Sequence, residues 1–325
     1  MNPAFSVIFL TTLIGVGQGL FLALFTQQSY ALFGLLPQQD ARFYALGSLL
    51  ALVFLVAGLI ASFFHLGRPE RAWRSATQWR TSWLSREVIV LPSFMGVVFL
   101  YGALHLAGFD PVLLTLPSGL MITATVVLGT LGTLLAFTLF VSTGMIYACM
   151  RFLREWYSPL TVINFILLGG ASGFTLATLY AAMFAPTQTG FLGDWAIIIT
   201  LLALLGRSSS LLRNARLKPM TTLQTAIGIK HPHIMQTSQG AMGGSFNTRE
   251  FFHGKSDSFL NSLKTIFLLL TFILPVLLLA VNLSYPSVLL LCVAFVAQYI
   301  GLLAERWYFF AEAKHPQNLY YQRIS

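Results

Sequence analysis

Charge is what this sequence has least of. Only 9% of its 325 residues are Asp, Glu, Lys or Arg, against roughly 25% in a soluble globular domain. With long apolar runs, that deficit excludes a soluble fold. Cysteine is also scarce: Cys149 and Cys292 stand alone inside apolar runs. They make no disulfide framework and no Cys-x-x-Cys motif, so no iron–sulfur cluster is expected in this chain. A bis-histidine haem needs two ligands at one depth on facing helices. Among the six histidines, His65 closes the second apolar run, His105 lies near the far end of the third, and His231, His233, His253 and His315 fall in a loop or tail. No intramembrane pair results, and no haem is expected. His231-Pro232-His233 has no Cys or acidic cluster beside it, so no metal site is expected either. Asp and Glu are missing from the span centres, and no Lys or Arg is expected to interrupt a span. That counts against an ion pump with a carboxylate relay and against a charge-lined channel. The start lacks a basic segment ahead of its apolar run, so no cleavable signal is expected.

Hydrocarbon is what the chain has in quantity: 56% of residues are hydrophobic and 28 are Phe. A helix needs about 20 apolar residues to span a bilayer. On that measure the chain is expected to be an all-α integral membrane protein of about eight transmembrane helices arranged as two four-helix bundles. The expected spans are 5–33, 43–65, 87–108, 118–150, 159–185, 192–213, 262–283 and 285–306, in one domain with a long loop at 214–261. Pro37, Pro111, Pro117, Pro186 and Pro286 fall between runs, where a missing backbone donor can meet water, and Pro275 is expected to kink the seventh helix.

Lys and Arg gather on alternate connections. Arg68, Arg71, Arg74, Arg80 and Arg86 lie in the first, Arg151 and Arg154 in the second, and Arg207 through Lys264 in the third. The positive-inside rule puts this face and both termini in the cytoplasm. The net charge of +9 therefore reads as topology and docking, and no nucleic-acid partner is expected. The six tryptophans fall near span ends, the position of an aromatic belt. The glycines around Gly15-Val16-Gly17-Gln18-Gly19, with Gly129 and Gly132, read as close helix packing. Gln18 differs: an amide within a span needs a partner, either another helix or a polar ligand head. The 207–264 connection, with Gly243 to Gly254 at its centre, is too long for a turn and reads as a segment gripping a partner or capping a site.

His65 and Glu87 are the most informative pair. They are the last residue of one expected span and the first of the next, so antiparallel neighbours would bring them to the same depth. Ser85 is expected to cap the third helix, leaving Glu87 in its first turn, where the positive end of the helix dipole favours ionisation and burial opposes it. A carboxyl poised in this way with an imidazole at the same rim suits proton transfer. A salt bridge that merely pins the hairpin is the alternative. A small-solute transporter is a rival, weakened by the lack of polar groups at the midplane, and a purely structural anchor is another.

Phe64-His65-Leu66-Gly67-Arg68-Pro69, with Ser82-Trp83-Leu84-Ser85-Arg86-Glu87, resembles the DmsC family, the membrane anchors of dimethyl sulfoxide reductase-type molybdoenzymes. The NrfD and polysulfide reductase anchors are more distant kin. The segment from Gly243 to Gly254 resembles the SoeC-like branch, from sulfite dehydrogenases. The resemblance implies a haem-free subunit of a bacterial cytoplasmic membrane that binds quinone or menaquinone. It would exchange electrons with a four-cluster iron–sulfur subunit, which serves a molybdopterin catalytic subunit. It implies sulfite oxidation or reduction of a dimethyl sulfoxide-type oxide by the complex. It also implies that His65 and Glu87 serve the quinone, with Arg68 and Arg86 holding the loop or the partner and Gln18 a further candidate for the head group.

Overall fold

The structure, a computed structural model, describes residues 1–117, 119–218, 221–235 and 250–321. Among these, eight helical stretches are long and apolar enough to cross a membrane. They are α1 (Phe5–Leu32), α2 (Ala41–Phe63), α3 (Trp83–Ala107), α4 (Ala124–Ala148), α5 (Pro159–Phe184), α6 (Thr189–Ala215), a seventh span in two parts, and a last helix. A short helix α7 (Leu223–Ile227) follows α6. The seventh span joins α8 (Asp257–Leu268) to α9 (Leu274–Ser284) through a π turn at Leu269–Ile273. The eighth is α10 (Val288–Glu312), trailed by α11 (Gln317–Tyr321). Helices of 23 to 28 residues are roughly 35–42 Å long at 1.5 Å per residue, enough for the hydrocarbon core and both interfaces. Side chains such as Leu49, Leu134, Leu205 and Leu289 are more than half exposed on their outer faces, as lipid permits and water does not.

Helix ends depart from the expected bounds for local reasons. The third helix begins at Trp83, not at 87, because Ser82 is its cap, accepting a hydrogen bond from the Ser85 amide at 3.3 Å. Ser85 instead donates its hydroxyl to the Ser75 carbonyl. The fourth helix begins at Ala124, not at 118, because Val112–Thr115 and Met121–Thr123 pair as an antiparallel hairpin, β1 and β2. Gly119 turns that hairpin at a φ of 82°, which a side chain would resist. Helices six, seven and eight extend further toward the basic face than expected, to Ala215, from Asp257 and to Glu312.

α1 to α4 close into one four-helix bundle, and α5, α6, the seventh span and α10 into another. α1 and α5 form the axis between them: most of each is buried, whereas most of each other span is not. The glycines make that contact. A Cβ on Gly19 would lie 2.2 Å from the Gly169 carbonyl oxygen, and one on Gly173 would lie 2.2 Å from the Gly19 carbonyl carbon. Backbones this close gain dispersion that lipid cannot match. Gly129 and Gly132 play the same part against the rings of Phe25 and Phe21.

The π turn also has a specific cause. Pro275 has no N–H to offer the carbonyl four residues back, which is Thr271. Gln298 Nε2 of α10 donates to that oxygen at 3.2 Å and to Thr200 Oγ1 at 3.3 Å. Gly301 gives the bulge room, since a Cβ there would lie 2.5 Å from the Thr271 nitrogen.

Candidate functional site

The α2–α3 connection is built as a stiff, basic rim. A 3₁₀ helix at Pro69–Gln78 leads to α3. Arg86 then folds back, donating from Nε to the Trp79 carbonyl at 3.0 Å and from Nη2 to the Arg80 carbonyl at 2.9 Å, while its guanidinium lies 4.1 Å from the Trp83 ring. Arg86 therefore holds the loop. Arg68 is exposed and precedes the 3₁₀ helix. His65 is exposed just beyond the C-cap of α2. Partial desolvation lowers its imidazole pKa below the usual value.

Glu87 lies behind this rim, in the first turns of α3, and only 8% of its surface is exposed. Thr143 of α4 donates its hydroxyl to the carboxyl at 2.5 Å. The two share a small cavity between the bundles, whose polar lining is Thr11, Thr12, Gln18, Glu87, Thr143 and Arg306. Gln18 is thus brought to Glu87, and its Nε2 is anchored on the Ala136 carbonyl at 2.8 Å. His65, Arg68 and Arg86 do not line this cavity. The hairpin sets His65 and Glu87 at one end of the molecule, the first outside and the second enclosed.

Arg306 carries the site into the second bundle. Its Nε lies 3.3 Å from Glu305 Oε2, and its guanidinium packs 4.0 Å from the Phe165 ring. Glu305 Oε1 meets Arg207 Nε at 2.7 Å, and Arg207 Nη2 reaches Glu312 Oε2 at 3.6 Å. Arg207, expected in a loop, is buried within α6 between these two carboxyls. Glu305 and Glu312 are seven residues apart on α10, two helical turns, and so present one acidic face to it. That i, i+7 spacing, set against a lone Arg near the end of an apolar run, was the available signal. Thr143 had none, being one of many span hydroxyls.

A second polar cluster occupies the far end of the first bundle. Tyr44 donates to Gln27 Oε1, Tyr101 to Gln28 Oε1 at 2.7 Å, Gln28 Nε2 to Thr125 Oγ1 at 2.8 Å, and Thr125 Oγ1 to Asp110 at 2.9 Å. His105 stacks on Tyr44 with ring centres 4.7 Å apart. Among the described residues no group of three or more His, Cys, Asp or Glu side chains converges as a metal site would require. Most of the Gly243–Gly254 stretch lies outside the described residues. At its far end Phe251 stacks on His315 at 3.8 Å.

The eight helices that, among the described residues, are long and apolar enough to cross a membrane define a multi-pass membrane protein. The family model described as DMSO reductase anchor subunit (DmsC) matches residues 1–321, and the chain belongs to that family. It is 57% identical, over all 325 residues and the full length of both chains, to a sulfite dehydrogenase subunit of Allochromatium vinosum.

Proposed function

We propose that this chain is the quinone-reactive anchor of a sulfite-oxidising molybdoenzyme, passing electrons between a four-cluster iron–sulfur subunit and the membrane quinone pool. Family membership and the likeness to a sulfite dehydrogenase subunit support the complex. The observation that carries the quinone reading is an enclosed carboxyl, Glu87, sharing its cavity with the amide of Gln18, the hydroxyl of Thr143 and the guanidinium of Arg306. These donors and acceptors suit quinone oxygens. The cavity measures about 20 Å³, room for a water and not for a ring, so it suits the proton-handling side of the site. A bound quinone supplies two-electron, two-proton chemistry.

In this reading Glu87 holds the proton, with Thr143 fixing the rotamer of its carboxyl. Gln18 fixes the orientation of whatever occupies the cavity. His65, at the lip, handles the second proton, and the arginines of the rim hold the iron–sulfur partner. Sulfite oxidation with water yields sulfate, two electrons and two protons, and quinone reduction consumes as many. Glu87→Gln in an assembled complex tests this: sulfite-driven quinone reduction should fall about 100-fold, the low end of general acid–base contributions. His65→Ala should fall less. Unchanged turnover in Glu87→Gln sinks the site and leaves a structural anchor.

A further inference from the structure

The buried ions of the second bundle lie between two spaces. At the inner end Arg306 lines the Glu87 cavity. At the outer end Glu312 lines an open cavity of about 1110 Å³ at the basic end of the molecule, together with Arg154, Glu155, Lys264 and His315, and bulk water fills a space of that size. Glu305 sits between them, 3.3 Å from Arg306 and 2.7 Å from Arg207, which in turn reaches Glu312 at 3.6 Å. These contacts place opposite charges together without completing aligned hydrogen bonds at Glu305 Oε2, Arg207 Nε or Arg207 Nη2. Buried ion pairs are a costly way to fasten two helices, which apolar side chains of equal volume would fasten at least as well. Ionisable groups placed between two spaces can instead carry protons.

We propose that the cluster is a proton path from the basic face to Glu87. Glu312 takes a proton from water in the open cavity. Arg207 separates Glu312 from Glu305, so a water admitted from the open cavity carries the proton past its guanidinium; Glu305, the inner carrier, receives it on one carboxyl oxygen and releases one from the other. Arg207 and Arg306 remain protonated and hold the carboxyls in line. The last transfer passes Arg306, which lines the small cavity and keeps its own proton, and crosses that cavity, which has room for one water, to Glu87. Each carrier returns to its starting charge, no electron moves, and no bond other than O–H forms or breaks. The path rests on the reading of Glu87 as the proton-handling group, and it gives the enclosed carboxyl a supply that does not pass through lipid.

Infrared spectroscopy of the resting complex in liposomes, with no quinone added, tests the path apart from turnover. At mildly acid pH the band of protonated Glu87 is identified by its loss in Glu87→Gln, and its shift after transfer to heavy water times proton exchange. Glu312→Gln, at the mouth, should slow that shift at least tenfold, a barrier rise of about 1.4 kcal/mol, with Glu312→Asp close to wild type. Glu305→Gln should slow it as much; if that variant fails to assemble, Glu312→Gln alone decides. Exchange at the wild-type rate in Glu312→Gln overturns the path, as does the absence of any Glu87 band. Slow exchange in Glu312→Gln with normal turnover in Glu87→Gln would keep the path and sink the quinone site instead.

Discussion

The two ends of the molecule both bury polar side chains, and they do so in opposite ways. At the far end, groups from α1, α3 and α4 form a chain of hydrogen bonds from Tyr101 through Gln28 and Thr125 to Asp110, each 2.7–2.9 Å long. All but the last are neutral, each meets the next directly, and the chain ties helices of one bundle. At the basic end the groups are carboxyls and guanidiniums, their bonds are incomplete, and a cavity lined from both bundles lies among them. A satisfied, largely neutral network holds helices together. A charged, incompletely bonded one beside a cavity has groups left over with which to work. Even His105, whose Nε2 has no hydrogen-bond partner among the described residues, is packed between two tyrosine rings at the far end.

That contrast can be broken experimentally. The largest effect is expected from Arg207→Ala, which leaves Glu305 buried without its closest cation. A loss of about 3–5 kcal/mol is expected, measured as thermal unfolding of the complex in detergent. The double replacement Arg207→Met with Glu305→Met should recover only part of it, because Arg306 then loses its carboxylate partner Glu305 and Glu312 loses Arg207. Next comes Glu87→Gln, expected to cost about 100-fold in quinone-linked turnover with assembly intact. At the far end Gln28→Leu removes two hydrogen bonds and should cost about 1 kcal/mol in unfolding, since such bonds average about 0.6 kcal/mol each in membranes. Its turnover should equal wild type. Tyr101→Phe removes one of the two and should be the mildest, about 0.6 kcal/mol. A turnover defect in Gln28→Leu or Tyr101→Phe, with unfolding unchanged, would erase the distinction between the ends.

Much of the architecture was legible in the sequence because lipid imposes a one-dimensional rule: long apolar runs become helices. The span ends were less so. Ser82 and Ser85 are equally good caps by type, and the 112–123 hairpin has no more than four residues in a strand. Glu87 and Gln18 stood out as polar groups in apolar runs, yet their meeting depends on α1 and α3 facing one cavity, which no spacing along the chain encodes. Arg207, assigned to a loop by its charge, belongs inside because Glu305 and Glu312, about a hundred positions later, receive it. Partners on another helix decide the cost of a buried charge, and those partners are invisible to a local window.

The glycine seam between α1 and α5 has a consequence for synthesis. The ribosome delivers Gly15 and Gly19 long before Gly169 and Gly173, so the first bundle enters the bilayer with its groove open. Lipid must fill that groove until the fifth helix arrives and displaces it. The enclosed cavity, lined from both halves, therefore comes into being only as that groove closes, and a chain arrested before α5 would carry Glu87 with one of its walls missing.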